Sequence, residues 1–171
     1  MAGADTRATA RALASAAEKL GPFDAVFCGC KAIDGETGQV PGELAAALGL
    51  PCISNAEKVE AAGDELLVTR RLEDGVQNLT VSGSAVISFS SYSYPLRLAG
   101  ILGMRRARET PVEILTAADL GLTPEDCGLK GSLTKVVAME SRFPGLRRGP
   151  KETDLDAGVQ NLRVLLREVR P

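Results

Sequence analysis

The first apolar residues of the chain recur at helical spacing, at Ala10, Leu13, Ala17 and Leu20. Asp5 or Thr6 is suited to cap the first turn, and Gly21, followed by a proline, supplies a stop signal. This pattern predicts a first helix that ends close to residue 20.

A short apolar run at residues 25–28 comes next and is followed directly by glycine. Such a run is typical of a parallel strand covered on both faces. A polar loop, residues 29–38, then leads into a second predicted helix. The apolar face of that helix carries Val40, Leu44 and Leu48. Strand, loop and helix together make up half of a nucleotide-binding unit.

The pattern then changes to that of a hairpin, because apolar runs at 66–69 and 78–81 flank the turn sequence Glu73-Asp74-Gly75. The run at 85–89 is bounded by glycine and serines and predicts a return to the buried sheet. Further short strands are predicted at 112–115 and 134–137.

The end of the chain combines a linker rich in proline, glycine and arginine, residues 142–151, with a helical apolar stripe. The stripe consists of Leu155, Val159, Leu162, Leu166 and Val169. Thr153 or Asp154 can cap its start. We therefore expect a nucleotide-binding domain over residues 1–140, and a linker with an amphipathic helix over 141–171. The helix docks either on its own domain or on a partner subunit.

The composition fits one domain with a core, since the chain has 171 residues, of which 44% are hydrophobic. Twenty Lys and Arg against 22 Asp and Glu give a net charge of −2, which offers no general attraction for nucleic acid or anionic membranes. No apolar run approaches the roughly 20 residues of a membrane-spanning helix. We expect a soluble, cytoplasmic protein.

Histidine is absent, which removes Ser-His and Cys-His nucleophile pairs and the usual zinc sites. The four cysteines match no metal-binding spacing and are interpreted as small hydrophobic thiols in a reducing compartment: Cys28, Cys30, Cys52 and Cys127. The sequence therefore predicts no catalytic residue and no metal site.

The loop before the second helix carries the candidate chemistry. Unpaired backbone N–H groups at a helix start can hold a phosphate, and Gly35 and Gly38 permit close approach of the backbone. Thr37 can cap the helix or donate its hydroxyl to a phosphate, and Gln39 adds an amide donor. An ordinary capped loop explains the same residues, because the spacing matches neither common phosphate-binding motif.

Two carboxylates in this loop, Asp34 and Glu36, would repel a phosphate unless they point away, toward ribose hydroxyls or structural N–H groups. They could also be proposed as an acid/base pair, but no other titrating partner lies nearby in sequence. Structural or solvated carboxylates are the favoured interpretation.

Residues 32–40, Ala-Ile-Asp-Gly-Glu-Thr-Gly-Gln-Val, closely resemble the adenine-nucleotide loop of electron-transfer flavoprotein beta subunits. Further blocks resemble that family in the same order, at residues 68–79, 85–88, 118–122 and 128–137. Ser84 stands where the family has proline. The resemblance spans about residues 3 to 140.

The resemblance implies a Rossmann-like α/β fold of the adenine nucleotide alpha hydrolase type. Its parallel sheet would have helices on both faces, an antiparallel hairpin excursion and a C-terminal helical arm. It also implies a heterodimer with a larger alpha subunit that holds most of the redox-active FAD, while the beta chain binds AMP or a second FAD. The cofactor-binding residues carried over by position are Asp34, Gly35, Thr37, Gly38, Gln39 and Val40.

The family also has a recognition loop whose exposed leucine docks into partner flavoprotein dehydrogenases, such as acyl-CoA dehydrogenases. Leu98 corresponds to that leucine, with Ile101 and Leu102 beside it and the basic residues Arg105 and Arg106 behind. A surface helix with ordinary arginines is the alternative interpretation of this segment.

Departures from the family pattern are also present. Cys30-Lys31 replaces an expected Arg-Gln pair, and Pro41-Gly42 reverses the Gly-Pro order of the family. Residues 90–93 lack the family's Leu-Asn-Glu-Pro-Arg motif. Lys31 is expected to keep one positive charge near the phosphate. Family members have several strands and helices before the point at which Met1 falls, so the sequence predicts a sheet that lacks its front. A misplaced start codon, a split or degraded gene, and a fragment completed by its partner each explain this.

Two other functions stay open on the sequence alone. An adenine-nucleotide-binding enzyme or stress-type module would share the strand, loop and helix, although the usual phosphate-loop spacing is absent. A structural or regulatory remnant would keep the fold and lose the nucleotide.

Overall fold

The computed structural model describes residues 3–91, 93–138 and 153–168. The chain divides into two units, Met1–Lys135 and Val136–Pro171. The strands, all in the first unit, are β1 (Ala25–Gly29), β2 (Cys52–Ala62), β3 (Glu65–Leu72), β4 (Gly75–Ser82) and β5 (Ala85–Phe89). The helices of the first unit are α1 (Thr6–Leu20), α2 (Val40–Leu48), α3 (Ile101–Glu109) and α4 (Gly128–Gly131). The second unit contains α5 (Leu155–Glu168). The division predicted after residue 140 stays a prediction.

The five strands form one sheet in the order β1-β5-β2-β3-β4. Strand β5 runs parallel to β1 on one side and to β2 on the other, while β2, β3 and β4 are antiparallel. The mixed α/β class, with a parallel core and a hairpin excursion, confirms the fold class predicted from the sequence, although the described helices that pack on the sheet, α1 and α2, lie on one face and not on both as expected. The carboxyl ends of β1 and β5 therefore meet at one edge of the sheet, level with Ala56, beyond which β2 continues to Ala62.

The side chains of successive residues in β5 point to opposite faces of the sheet. Val86 faces α1 and α2, where it packs with Leu44 and with alanines of both helices. Ile87 lies in the cluster on the other face, with Ile53 and Val68. Burial of each such side chain contributes roughly 1.5–3 kcal/mol relative to exposure. The apolar run at 85–89 is therefore continuous because both of its faces are covered.

Helices α1 and α2 lie on the same face of the sheet. On the opposite face, part of the cover comes from Tyr94, which follows β5. Its ring centroid lies 5.7 Å from that of Phe89, and its hydroxyl accepts a hydrogen bond from Val59 N at 2.8 Å. Phe27, on β1 at the sheet edge, stays 59% exposed although it packs edge-on against Phe89.

Helix α1 forms as predicted, but its buried face differs from the expected one. Leu13 and Leu20 are 41% and 54% exposed, whereas the buried residues are Ala8, Ala10, Ala12 and Ala14. Ala10 and Ala14 lie on one side of α1 and pack with Leu44 of α2 and Val86 of β5, whereas Ala8 and Ala12 lie on the other side of the helix and are also buried. The longer leucines lie at the periphery.

The two late strands predicted at 112–115 and 134–137 are wrong, because neither segment is a strand or pairs with the sheet. Val112 and Ile114 are 83% and 80% exposed. An apolar run becomes a strand only where a neighbouring strand accepts its backbone hydrogen bonds. The predicted linker at 142–151 and Val169 lie outside the described residues. Within the described residues, no helix is long and apolar enough to cross a membrane.

Asp5 fastens the beginning of α1 to a distant segment of the chain. Its carboxylate caps the helix by accepting from Ala8 N at 2.9 Å, and it also accepts from Leu133 N at 2.8 Å and Thr134 N at 2.9 Å. The backbone N–H of Asp5 donates to Ser132 Oγ at 2.8 Å. Mainly because the backbone N–H groups of Ala8 and Thr134 donate hydrogen bonds to it, the pKa of Asp5 falls from its ordinary value of 3.8 to about 2.

This carboxylate predicts a specific dependence of stability on pH. Because the pKa of Asp5 is lower in the folded chain than in the unfolded one, its stabilisation is complete above about pH 4 and is lost as the pH falls toward 2. Asp5→Asn should therefore lower the thermal midpoint most above pH 4, and the difference from wild type should shrink on acidification. Thermal melts followed by circular dichroism from pH 2 to 7 measure it.

The matched control is Asp74→Asn in the turn between β3 and β4, since Asp74 is exposed and no hydrogen bond to it is found within the described chain. Its thermal midpoint should follow that of wild type at every pH. If the difference in thermal midpoint between Asp5→Asn and wild type stays constant from pH 2 to 7, the lowered pKa of Asp5 is contradicted.

Candidate functional site

The loop of residues 30–39 lies at the edge of the sheet where the parallel strands end. Strand β1 ends at Gly29, and the chain turns back through this loop into α2, which packs on β5 and β2. In open parallel sheets, ligands bind at this edge, between strand ends and helix starts. The fold therefore places the start of α2 where a nucleotide would be received.

A cavity of about 520 Å³ opens between the start of α2, the first residues of β2 and the end of β5. It is lined by Gly38, Gln39, Pro41, Gly42, Glu43, Cys52, Ser54 and Ser88. Its volume falls in the range of roughly 300–1,000 Å³ that is usual for small-molecule sites. We call it the α2 cavity.

Two of the six predicted cofactor-binding residues, Gly38 and Gln39, line the α2 cavity. Asp34, Gly35 and Thr37 lie in the exposed part of the loop, and Val40 is half-buried in the first turn of α2. Asp34 Oδ1 accepts a hydrogen bond from Gly35 N at 2.9 Å. The structure thus separates the predicted set into a cavity pair and an outer group, and the binding role of all six stays a prediction.

Lys31 was expected to supply a positive charge to a phosphate. Its ammonium group instead forms an ion pair and a short hydrogen bond with Glu36, which raises the pKa of Lys31 and lowers that of Glu36. Glu36 sits in the left-handed backbone region, with φ of 53°. These two charges therefore balance each other, and the carboxylate of Asp34 leaves the outer loop with a net negative charge.

The start of α2 offers backbone donors rather than a capping side chain. Thr37 was one candidate to cap this helix or to bind a phosphate, but the capping position is occupied by Gln39, whose side chain makes no capping bond. The first helical bond runs from Glu43 N to Gln39 O at 3.1 Å. Pro41 has no N–H, so the amides of Val40 and Gly42 are the donors of this first turn that can meet a ligand.

A cluster of oxygens lies beside these amides. Thr6 Oγ1 is 3.1 Å from Glu43 Oε1 and 3.3 Å from Gln39 Oε1, so the start of α1 contacts the start of α2. One hydroxyl carries one proton and donates to only one of these acceptors at a time. If the Gln39 amide turns by half a rotation, its N–H serves Thr6 and its oxygen points elsewhere. Gln39 is exposed, so its oxygen meets solvent when the Thr6 hydroxyl donates to Glu43.

Two polar groups of the α2 cavity were missed from the sequence. Ser88 is only 3% exposed, and no hydrogen bond to its hydroxyl is found in the part of the chain that the structure describes. Glu43 Oε2 is buried and has no hydrogen-bond partner among the described residues. The sequence offered one indication of a site residue at Ser88, namely a single hydroxyl within the apolar run of β5. It offered none at Glu43, because acidic residues are common in the first turn of a helix.

A larger cavity, of about 580 Å³, lies on the other face of the sheet and is bordered by Phe27, Val59, Leu66, Phe89 and Tyr94. Its lining is almost wholly apolar and includes no charged side chain. Because a phosphate or a ribose needs hydrogen-bond partners, the α2 cavity is the better nucleotide candidate although it is smaller.

The predicted docking residues lie in and before α3. Leu98, Ile101 and Leu102 are 84%, 81% and 78% exposed. Arg105 pairs with Glu109 at 3.1 Å, and Arg106 belongs to the last turn of α3. We call residues 98–109 the docking segment. Helix α3 buries no residue, so its apolar side chains contribute nothing to the described core.

The chain is similar to known proteins over most of its length. The sequence profile of the family described as "Electron transfer flavoprotein domain" matches residues 1–120. The electron transfer flavoprotein subunit beta of Thermoanaerobacterium thermosaccharolyticum is 42% identical over 164 residues, which is 94% of this chain and 62% of the relative. The caffeyl-CoA reductase-Etf complex subunit CarD of Acetobacterium woodii is 34% identical over 134 residues, 78% of this chain and 51% of that protein.

Protein FixA of Azorhizobium caulinodans is 36% identical over 163 residues, which is 91% of this chain and 57% of FixA. The chain thus spans between 51% and 62% of the length of these three curated relatives. The likeness covers the loop, α2 and the strands that border the α2 cavity.

The loop geometry yields a prediction with a control three residues away. Gly38 has φ of 65°, and an added Cβ would meet Cys30 O at 3.3 Å, so Gly38→Ala should destabilise the chain by about 1–2 kcal/mol. At Gly35 an added Cβ meets nothing within 4 Å, and Gly35→Ala should change stability by less than about 0.5 kcal/mol. Urea unfolding measures both, and equal effects would show that the loop backbone differs from the one described.

Proposed function

This chain belongs to the electron transfer flavoprotein domain family, and we propose that it serves as the small, nucleotide-holding subunit of a two-chain electron carrier. A larger alpha subunit would hold most of the redox-active FAD. The pair would carry electrons from flavoprotein dehydrogenases, such as acyl-CoA dehydrogenases, to a downstream acceptor. The observation that carries the proposal is the family match over residues 1–120, which includes the loop before α2 and the cavity beside it.

The proposed ligand of this chain is an adenine nucleotide, either AMP or the adenylate part of a second FAD, in the α2 cavity. Three features support it: the position at the ends of parallel strands, the Val40 and Gly42 amides at the positive end of the α2 dipole, and the serine hydroxyls of Ser54 and Ser88. Because Lys31 is paired with Glu36, the backbone would supply most of the attraction for phosphate.

FAD bound mainly by the alpha subunit would supply the redox chemistry of the complex. The residues of this chain would bind and orient a nucleotide and present a docking surface, so the chain is proposed as a carrier subunit and not as a catalyst on its own. A cytoplasmic location stays a prediction.

Transient docking is proposed for the docking segment. An exposed leucine that enters an apolar pocket contributes roughly 1.5–3 kcal/mol, and neighbouring cations mainly steer the encounter. Leu98, Ile101 and Leu102 supply exposed apolar area, and Arg106 follows on α3. Arg105 already pairs with Glu109, which reduces its share in steering.

The nucleotide proposal predicts unequal effects for two neighbouring residues. Gln39→Ala should raise the Kd for AMP roughly tenfold, because a side chain that borders the cavity loses one hydrogen bond of about 1–1.5 kcal/mol. Thr37→Val should change the Kd less than about twofold, because Thr37 lies outside the cavity lining. Titration calorimetry measures both constants. Saturable AMP binding that neither substitution affects would show that the nucleotide binds elsewhere.

The docking proposal predicts a defect in electron transfer alone. Leu98→Ala, purified with a co-expressed alpha subunit, should keep its flavin absorbance while the rate of reduction by the partner dehydrogenase falls roughly tenfold or more at subsaturating concentrations. Val112→Ala is the control, since Val112 is equally exposed, at 83%, and lies outside the docking segment. A parallel loss of flavin and transfer rate would instead make Leu98 a residue that maintains the fold.

A further inference from the structure

We propose that Glu43 and Ser88 bind the ribose diol of the nucleotide, and that they make the α2 cavity selective for nucleotides with free 2′ and 3′ hydroxyls. This inference rests on the nucleotide binding proposed above and assigns the chemical group that this end of the cavity recognises. Neither residue belongs to the loop that the sequence singled out.

The carboxylate of Glu43 has one satisfied oxygen and one unsatisfied oxygen. Oε1 accepts from the Thr6 hydroxyl at 3.1 Å, whereas Oε2 is buried without a partner among the described residues. A buried acceptor that lacks a donor is costly to the folded state. Glu43 lines the cavity, and a rotation of its carboxylate would bring the covered Oε2 to a ligand donor there. Such a bond would remove this cost, which makes Oε2 a place where binding gains affinity.

A position in the first turn of a helix accounts for only part of this arrangement. Negative side chains there are favoured by the helix dipole, so Glu43 would be stabilising without any ligand. The dipole requires the charge to be close, but it does not require one oxygen to be covered and left without a donor. The orphaned oxygen therefore needs a separate explanation.

Ser88 provides the second, independent observation. Ser88 is 97% buried and lines the α2 cavity, and no hydrogen bond to its hydroxyl is found over the described ranges. Ser88 lies on β5, on the strand that forms the floor of the cavity, whereas Glu43 approaches from α2. Two polar groups from different elements thus border one cavity with unused hydrogen-bonding capacity.

The chemistry of these two groups selects the ligand atom that they meet. A carboxylate only accepts hydrogen bonds, so it repels the oxygens of a phosphate and attracts a hydroxyl or an amine. A serine hydroxyl both donates and accepts, as does each hydroxyl of a ribose. Neighbouring 2′ and 3′ hydroxyls can donate to Glu43 and exchange a bond with Ser88, while the phosphate lies toward the Val40 and Gly42 amides.

The test compares AMP with 2′,3′-dideoxy-AMP by titration calorimetry on the full chain. Wild type should bind AMP at least tenfold more tightly than the dideoxy analogue. Glu43→Gln and Ser88→Ala should each weaken AMP binding several-fold and leave the affinity for the analogue nearly unchanged, so that the preference for AMP shrinks. Glu73→Gln, in the exposed turn between β3 and β4, is the control and should keep the full preference.

Circular dichroism verifies that the variants fold, and the small change in Ser88→Ala provides a test even if Glu43→Gln is unstable. Equal affinity of wild type for AMP and the analogue would overturn the diol assignment while the nucleotide proposal stands. The same holds if both variants retain the wild-type preference. If wild type shows no saturable heat with either nucleotide, the proposed nucleotide binding fails, and the diol assignment fails with it.

Discussion

Parallel pairing on both sides of β5 is the constraint on which the rest of the structure depends. Three segments far apart in sequence, β1, β2 and β5, are aligned by this pairing so that the carboxyl ends of β1 and β5 lie level with Ala56 of β2. The buried run of β5 faces the helices through Val86 and the opposite cluster through Ile87. One residue further along the strand, Ser88 reaches the edge where α2 begins, so the geometry of the candidate site follows from the pairing of a single strand.

The sequence predicted the elements whose signals are local. Strand β1, the hairpin of β3 and β4, strand β5 and helix α2 appear where their apolar patterns and turn residues placed them. Strand β2 escaped prediction because its sequence has no clean alternation of apolar and polar residues, and its parallel partner β5 follows only after two further strands. Conversely, the run at 112–115 has strand-like composition without a neighbouring strand, and composition alone cannot supply that neighbour.

Only part of the candidate site could be predicted for the same reason. Gly38 and Gln39 follow each other in a glycine-containing loop before a helix, which is a local pattern, and both line the cavity. Ser88 and Glu43 acquire their character from tertiary packing, since one is covered by the sheet and the other is held by Thr6 from a different helix. The ion pair between Lys31 and Glu36 likewise altered the charge that the loop presents.

Backbone amide spectra of the isotopically labelled chain, recorded during a titration with AMP, test the central claim most directly. The account predicts saturable chemical-shift changes centred on Val40, Gly42 and Ser88, with the turn between β3 and β4 unaffected. Saturable changes confined to the apolar cavity around Phe27, or no saturable change at the start of α2, would contradict it.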